Sequence, residues 1–187
     1  MYCVTKRRCF RANTGDAWIY ALPDIRSIGP WQPGRAYGGL VREALREGIV
    51  AFHGGLLPRD LRIAKRRCDG VHVGSMPAAV GRAQGWLSQI ARELQGSTGY
   101  SEIYAFLVQS SKPFLPGGAV LNEDSGAGGD LLDEIFERPE SGQAAKLRRE
   151  GYDTVPYANV VEDRGILSIV LLKPWQYAWK EGVYQRR

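Results

Sequence analysis

The run "TVPYANVVEDRGILSIVLLKP", residues 154–174, decides the fold class. Its two ends, TVPYANV and ILSIVLL, are rich in the β-branched and aromatic residues that fit a pleated surface. Only Val161 and the charged turn "EDRG" (162–165) lie between them, and strands joined so closely pair antiparallel. Working outward, "EIYAFLV" (102–108) is apolar on both faces, which places it centrally in a sheet. "IVAFH" (49–53) and "DGVHVG" (69–74) read as two further strands. Helices alternate with them. In "RAYGGLVREALREG" (35–48), Leu40, Ala44 and Leu45 share a face and Gly48 is the stop. From Met76 to Leu94, the residues Ala79, Ala83, Leu87, Ile90 and Leu94 recur at helical steps, and Gly96 closes the run. "DLLDEIF" (130–136) and "SGQAAKLRRE" (141–150) complete the set, the last ended by Gly151. Strands and helices mixed in this way, with an antiparallel pair late, predict a single α+β domain over 1–187.

Two stretches resist assignment. Residues 1–34 contain one strand-like run, "WIYALP" (18–23), followed by the loop-like "SIGPWQPGR" (27–35). Residues 109–130, including "SSKPFLPGGAVLNEDSGAGGD", form a long Gly- and Pro-rich segment of the kind that is usually functional or disordered.

At 187 residues the chain can bury one sizeable core. Its 44% hydrophobic and 24% charged content is that of a globular protein. No run approaches the ~20 apolar residues of a membrane span, and "MYCVTKRRCF" lacks the apolar region of an export signal. A cytoplasmic location follows, in the producer or in a host cell. Cys3, Cys9 and Cys68 cannot all pair, so free thiols are expected, with a Cys3–Cys9 bridge as the alternative. The net charge of +5 comes with basic knots at 6–8, 65–67 and 146–149. Each singly reads as solvated surface; together they could meet phosphate.

Chemistry-bearing residues are few. There are two histidines. His53 ends a strand before Gly54-Gly55, where a ligand can approach the backbone and an imidazole can hold a hydroxyl. His72 sits between two valines before Gly74 and Ser75. No Ser-His-Asp order, HExxH, GxGxxG or GxxxxGK[ST] spacing occurs, so P-loop, Rossmann and zinc-protease chemistry lack support.

Four segments occur in a telling order: "VAFHGG" (50–55), "DGVHVGSMPAAVGRA" (69–83), "EIYAFLV" (102–108) and "AAKLRREGYDTVPYANVVEDRGILSIVLLKPWQYA" (144–178). They resemble the ADP-ribosyltransferase-like domains of phage and mobile-element polyvalent proteins, distant relatives of poly-ADP-ribose polymerases and diphtheria-type toxins. "REGYDTVPYANVVEDRG" is the most specific of these motifs. The resemblance implies a split β-sheet core with flanking helices and a toxin- or effector-like transferase. Such an enzyme moves ADP-ribose from NAD, its substrate, to a macromolecular acceptor, protein or nucleic acid, without a metal. A neutralising partner protein would fit an active enzyme.

Residue by residue, the resemblance lays His53 against the adenosine ribose and Gly54 backbone atoms against the nicotinamide amide. It puts His72 where relatives stack a tyrosine on the nicotinamide ring, and Ser75 at the pocket wall. Tyr157 and Asn159 become ligand contacts. Arg11, in "CFRANTGD", is similar to the phosphate-holding arginine of cholera-type toxins. The family's glutamate, at the start of the last core strand, falls here on Ser168. Glu162, in the turn before that strand, is the first candidate for the acid, with the turn as ordinary surface the other reading; Glu123 and Asp124 of the 109–130 segment are weaker candidates. Loss of the acid leaves a second reading, an inactive binding or structural protein that keeps the fold. An NAD glycohydrolase is a third.

Overall fold

The computed structural model describes residues 22–55, 70–93, 102–136 and 142–180, with the side chains at 86–93, 102, 161, 162, 175 and 178–180 outside that description. The fold is α+β. In chain order its elements are α1 (Arg35–Glu47), β1 (Ile49–Gly55), β2 (Val71–Val73), α2 (Met76–Glu93), β3 (Glu102–Val108), β4 (Leu121–Asn122), α3 (Gly126–Phe136), α4 (Gln143–Arg149), β5 (Thr154–Asn159), the single turn α5 (Val160–Asp163), β6 (Ile166–Leu171) and β7 (Ala178–Lys180). Short 3₁₀ turns precede α1 at Ile25–Ile28, break the 109–130 segment at Pro116–Gly118, and lead into β7 at Pro174–Gln176.

The predicted late pair is present. β5 and β6 run antiparallel from Thr154↔Leu171 to Asn159↔Ile166. The chain reverses through α5, Arg164 in the left-handed region (φ 51°) and Gly165 (φ 84°). Gly165 N–H closes the turn on Asn159 O at 2.7 Å. These strands centre a four-stranded sheet ordered β2-β6-β5-β4, beside a three-stranded sheet ordered β1-β3-β7. β3 is the middle strand of the latter, as its two apolar faces require. Among the described residues one isolated backbone bridge joins the sheets, where Phe52 and Gly74 exchange both hydrogen bonds at 2.8 Å.

Alternation along the strands divides the interior into three clusters. Ile49, Ala51 and Phe106 of the smaller sheet and Val71, Val73, Leu167, Ile169 and Leu171 of the larger one meet Tyr37, Val41 and Leu45 of α1 in the main core. The opposite face of β5 and β6, carrying Val155, Tyr157 and Val170, is covered by Leu132 and Ile135 of α3 and Ala144 and Leu147 of α4. The opposite face of β1 and β3 receives Ala79 and Ala83 of α2.

Two expectations are corrected. The buried stripe of α1 is Tyr37, Val41 and Leu45, one residue every four, while Leu40 is 61% exposed. The helix turns this way because Gly38 lies against the Gly118 carbonyl, leaving no room for a Cβ, and because Tyr37 Oη donates to Gly29 O at 3.1 Å. Gly48 is the stop, at φ 105°.

The second correction concerns residues 109–130, which are not one long loop. They hold a 3₁₀ turn, β4, and the start of α3 at Gly126, four residues before the expected helix. Ser125 caps that start, its Oγ accepting from Gly128 N–H at 3.2 Å. The glycines belong to the helix because its first turn folds back onto Asn122 and Glu123: a Cβ on Gly128 would overlap Asn122 O, and one on Gly129 would come within 2.8 Å of Glu123 O.

Among the described residues no helix is long and apolar enough to cross a membrane. The cysteines, Arg11, the basic knots at 6–8 and 65–67 and most of WIYALP lie outside the described residues. In the third knot Lys146 and Arg149 are exposed, whereas Arg148 Nη1 donates to Leu172 O at 3.4 Å.

Candidate functional site

The two histidines meet at the place where the two sheets join. Phe52 turns its side chain toward α2, so strand alternation turns His53 to the other face of β1. There His53 Nδ1 lies 2.7 Å from His72 O. A carbonyl can only accept, so Nδ1 carries the hydrogen, and in the neutral ring Nε2 is the acceptor nitrogen. The side chain thus continues the link between strands just past the Phe52–Gly74 bridge.

His72 faces Val170 across β6, on the side of the sheet that Tyr157 occupies. Tyr157 Oη hydrogen-bonds the imidazole at Nε2 and lies 3.1 Å from Nδ1. The rings meet edge to face at 5.2 Å. Tyr157 is 1% exposed and both histidines are partly buried. Burial pushes His72 well below its ordinary pKa of 6.5, and the nearby positive charge of Arg82, then His53, push the same way. His53 is also lowered by burial, partly offset by its bond to the His72 carbonyl and reinforced by Arg82. Both imidazoles are therefore neutral near pH 7.

The remaining candidates fall into distinct places. Gly54 is where α2 comes closest to β1: a Cβ there would overlap the Ala79 carbonyl oxygen. Ser75 is fully buried and caps α2, its Oγ accepting from Ala78 N–H at 3.3 Å. Ser168 is fully buried as well, directly across from Tyr157. Its Oγ accepts from Asn159 Nδ2 at 3.2 Å, and the missing Cβ of Gly74 would stand 2.7 Å from it. Ser168 is thus an interior serine, bonded and closely covered. Glu162 belongs to α5, which packs against α2, but its side chain lies outside the described residues. Arg11 does also. Glu123 accepts from Val160 N–H at 3.1 Å, and Asp124 is exposed.

Sequence reasoning missed two features. Arg82 supplies positive charge at both histidines; a lone arginine on an alanine-rich helix gives no hint of it until the helix is laid on β1. Between the end of β3 and the start of β5 is a buried carboxylate. Asp153 is 7% exposed and accepts from Ser111 N–H (2.8 Å), Ser111 Oγ (2.9 Å), Lys112 N–H (3.3 Å) and Ser110 Oγ. Ser110 Oγ is 2.8 Å from Thr154 Oγ1, and Tyr177 Oη donates to the Asp153 carbonyl at 3.3 Å. The signal was in the text, as an acid directly before a strand and two adjacent serines after another, but nothing joined them. A cavity of about 530 Å³ opens there, and a mostly apolar one of about 410 Å³, lined by Trp31, Phe114 and Leu131, lies beside the start of α3. Neither of these includes a histidine. Among the described residues no three His, Cys, Asp or Glu side chains gather as metal ligands.

No protein-family model, curated protein or solved structure matches this chain.

Proposed function

We propose that the chain is an NAD-dependent ADP-ribosyltransferase whose NAD site lies at the junction of the two sheets. The observation that supports this reading is the linked trio His53–His72–Tyr157. His53 Nε2 accepts a ribose hydroxyl. The resemblance sets the nicotinamide beside His72, whose ring Tyr157 Oη holds through Nε2. The neutrality of the imidazoles matters because nicotinamide in NAD is cationic: an imidazolium beside it would repel the substrate, whereas a buried neutral ring does not. Arg82 supplies positive charge suited to the diphosphate.

The bond from nicotinamide to ribose breaks with its electron pair going to the ring nitrogen, so the leaving group departs neutral and needs no general acid. The ribosyl carbon develops oxocarbenium character, and a carboxylate, here Glu162, stabilises it. The acceptor nucleophile then bonds that carbon and its proton passes to solvent water. The acceptor is a protein or nucleic acid met in the cytoplasm, with the exposed Lys146 and Arg149 favouring an acidic one, and a neutralising partner protein would protect the producer.

Ser168 supports a second reading. An interior serine bonded to Asn159 stands where the family's carboxylate would be, as expected of a protein that binds a nucleotide without cleaving it. Nicotinamide release by the purified chain separates the two. The transferase reading expects release, reduced at least ~100-fold in Glu162→Ala and in His53→Ala. NAD binding in calorimetry without release supports the binding protein, and neither binding nor release overturns both.

A further inference from the structure

We propose that Glu123 is the positioning carboxylate of this site, holding the α5 turn that carries Glu162; the inference rests on the NAD chemistry proposed above. β4 is laid parallel on β5, with Leu121↔Tyr157 and Asn122↔Ala158 in register, and Glu123 N–H continues the ladder to Ala158 O at 3.4 Å. Glu123 thereby arrives beside the end of β5, where its carboxylate accepts from Val160 N–H, the first amide of α5. A carboxylate on a backbone N–H is a charge-assisted bond, stronger than a neutral one.

The rest of the turn is closed on its own strands. Gly165 N–H bonds Asn159 O at 2.7 Å, and Trp31 N–H bonds Gly165 O at 2.8 Å. Those bonds tie the end of the turn; Glu123 ties its start. The glycine run explains how the acid is delivered: α3 can begin three residues after Glu123 because Gly128 and Gly129 let its first turn lie on residues 122–123. Asp124 N–H to Asn122 Oδ1, at 3.1 Å, tightens the same corner.

Glu123 acts through the turn, not on substrate. In the order β2-β6-β5-β4 three strand spacings separate it from the strand of His72, about 14 Å at ~4.8 Å each. That is beyond the reach of a glutamate side chain.

The test pairs two readouts on Glu123→Ala, Glu123→Gln and Glu123→Asp: hydrogen exchange at the Val160 amide by NMR, and kcat and KM for nicotinamide release. The alanine and aspartate variants are expected to exchange at least about tenfold faster and to lose about tenfold or more in kcat with KM unchanged. Glutamine, which keeps an acceptor oxygen at full reach, restores most of both. Aspartate keeps the charge one methylene short, so it reads the same bond should the alanine variant fail to fold. Unchanged exchange overturns the proposal, and so does faster exchange with unaltered kcat. A wild-type chain that releases no nicotinamide overturns the proposed function instead, and Val160 exchange alone then decides whether Glu123 holds the turn.

Discussion

Two of the polar clusters among the described residues, one between the end of β3 and the start of β5 and one where the sheets join, are built on different terms. Asp153 is ringed by donors: two serine hydroxyls and two backbone amides converge on one carboxylate. Such a group has little capacity left, and it clasps the end of β3 to the start of β5. At the joint, His53 Nδ1 bonds the His72 carbonyl and Tyr157 Oη bonds the His72 ring. An imidazole can donate or accept, and burial holds both rings neutral. A carboxylate ringed by donors is architecture; on the function proposed above, the imidazoles at the joint between sheets serve a ligand.

The comparison breaks first at the clasp. Asp153→Ala strands several buried donors at once and should cost about 3–5 kcal/mol, read from urea unfolding; a loss under about 1 kcal/mol would mean the network is loosely held. Gly54→Ala is next. The added methyl meets the Ala79 carbonyl and should cost about 2–3 kcal/mol by prising α2 from β1.

The histidine end is tested through pH. Both folded-state pKa values lie below 6.5, so as pH falls through 6.5 the unfolded chain binds protons before the folded one does. Stability is full above pH 6.5 and declines as pH drops toward the folded values, by up to ~1.4 kcal/mol per pH unit for each histidine. Denaturant midpoints between pH 7 and 5 should show this decline, and His72→Gln should flatten it; an identical slope in the variant would separate His72 from the effect. Tyr157→Phe makes the smallest change, about 1 kcal/mol. A larger loss than in Asp153→Ala would invert the contrast between the two clusters.

The strands were legible in the sequence because their signals are local. IVAFH and EIYAFLV carry enough β-branched and aromatic residues to declare themselves, and the short link EDRG forces the last pair together. The face of α1 was not legible, since Leu40 looks as apolar as Val41; what turns it outward is Gly38 pressing on Gly118, a contact eighty residues away. The glycines at 126–129 read as loop because glycine weakens helices, and only the crowding over Asn122 and Glu123 shows why nothing larger fits. At the candidate site, His53 and His72 could be named from the text but not joined. Their bond depends on the register of β1 against β2, which a single bridge sets. Ser168 was singled out by resemblance alone, and its burial against Gly74 is a tertiary fact.

The pairing of Val71 with Leu171 spans a hundred positions, which has a consequence for the newborn chain. β2, and with it His72, emerges from the ribosome long before its partner strand exists. At about 5–20 residues per second the wait is roughly 5–20 s. Through that interval the described links from this strand to the chain before it are those with β1: the Phe52–Gly74 bridge and the bond from His53 Nδ1 to His72 O. The junction of the sheets is therefore among the last parts of the molecule to assemble, so no ligand can be bound there until translation of this region is nearly finished.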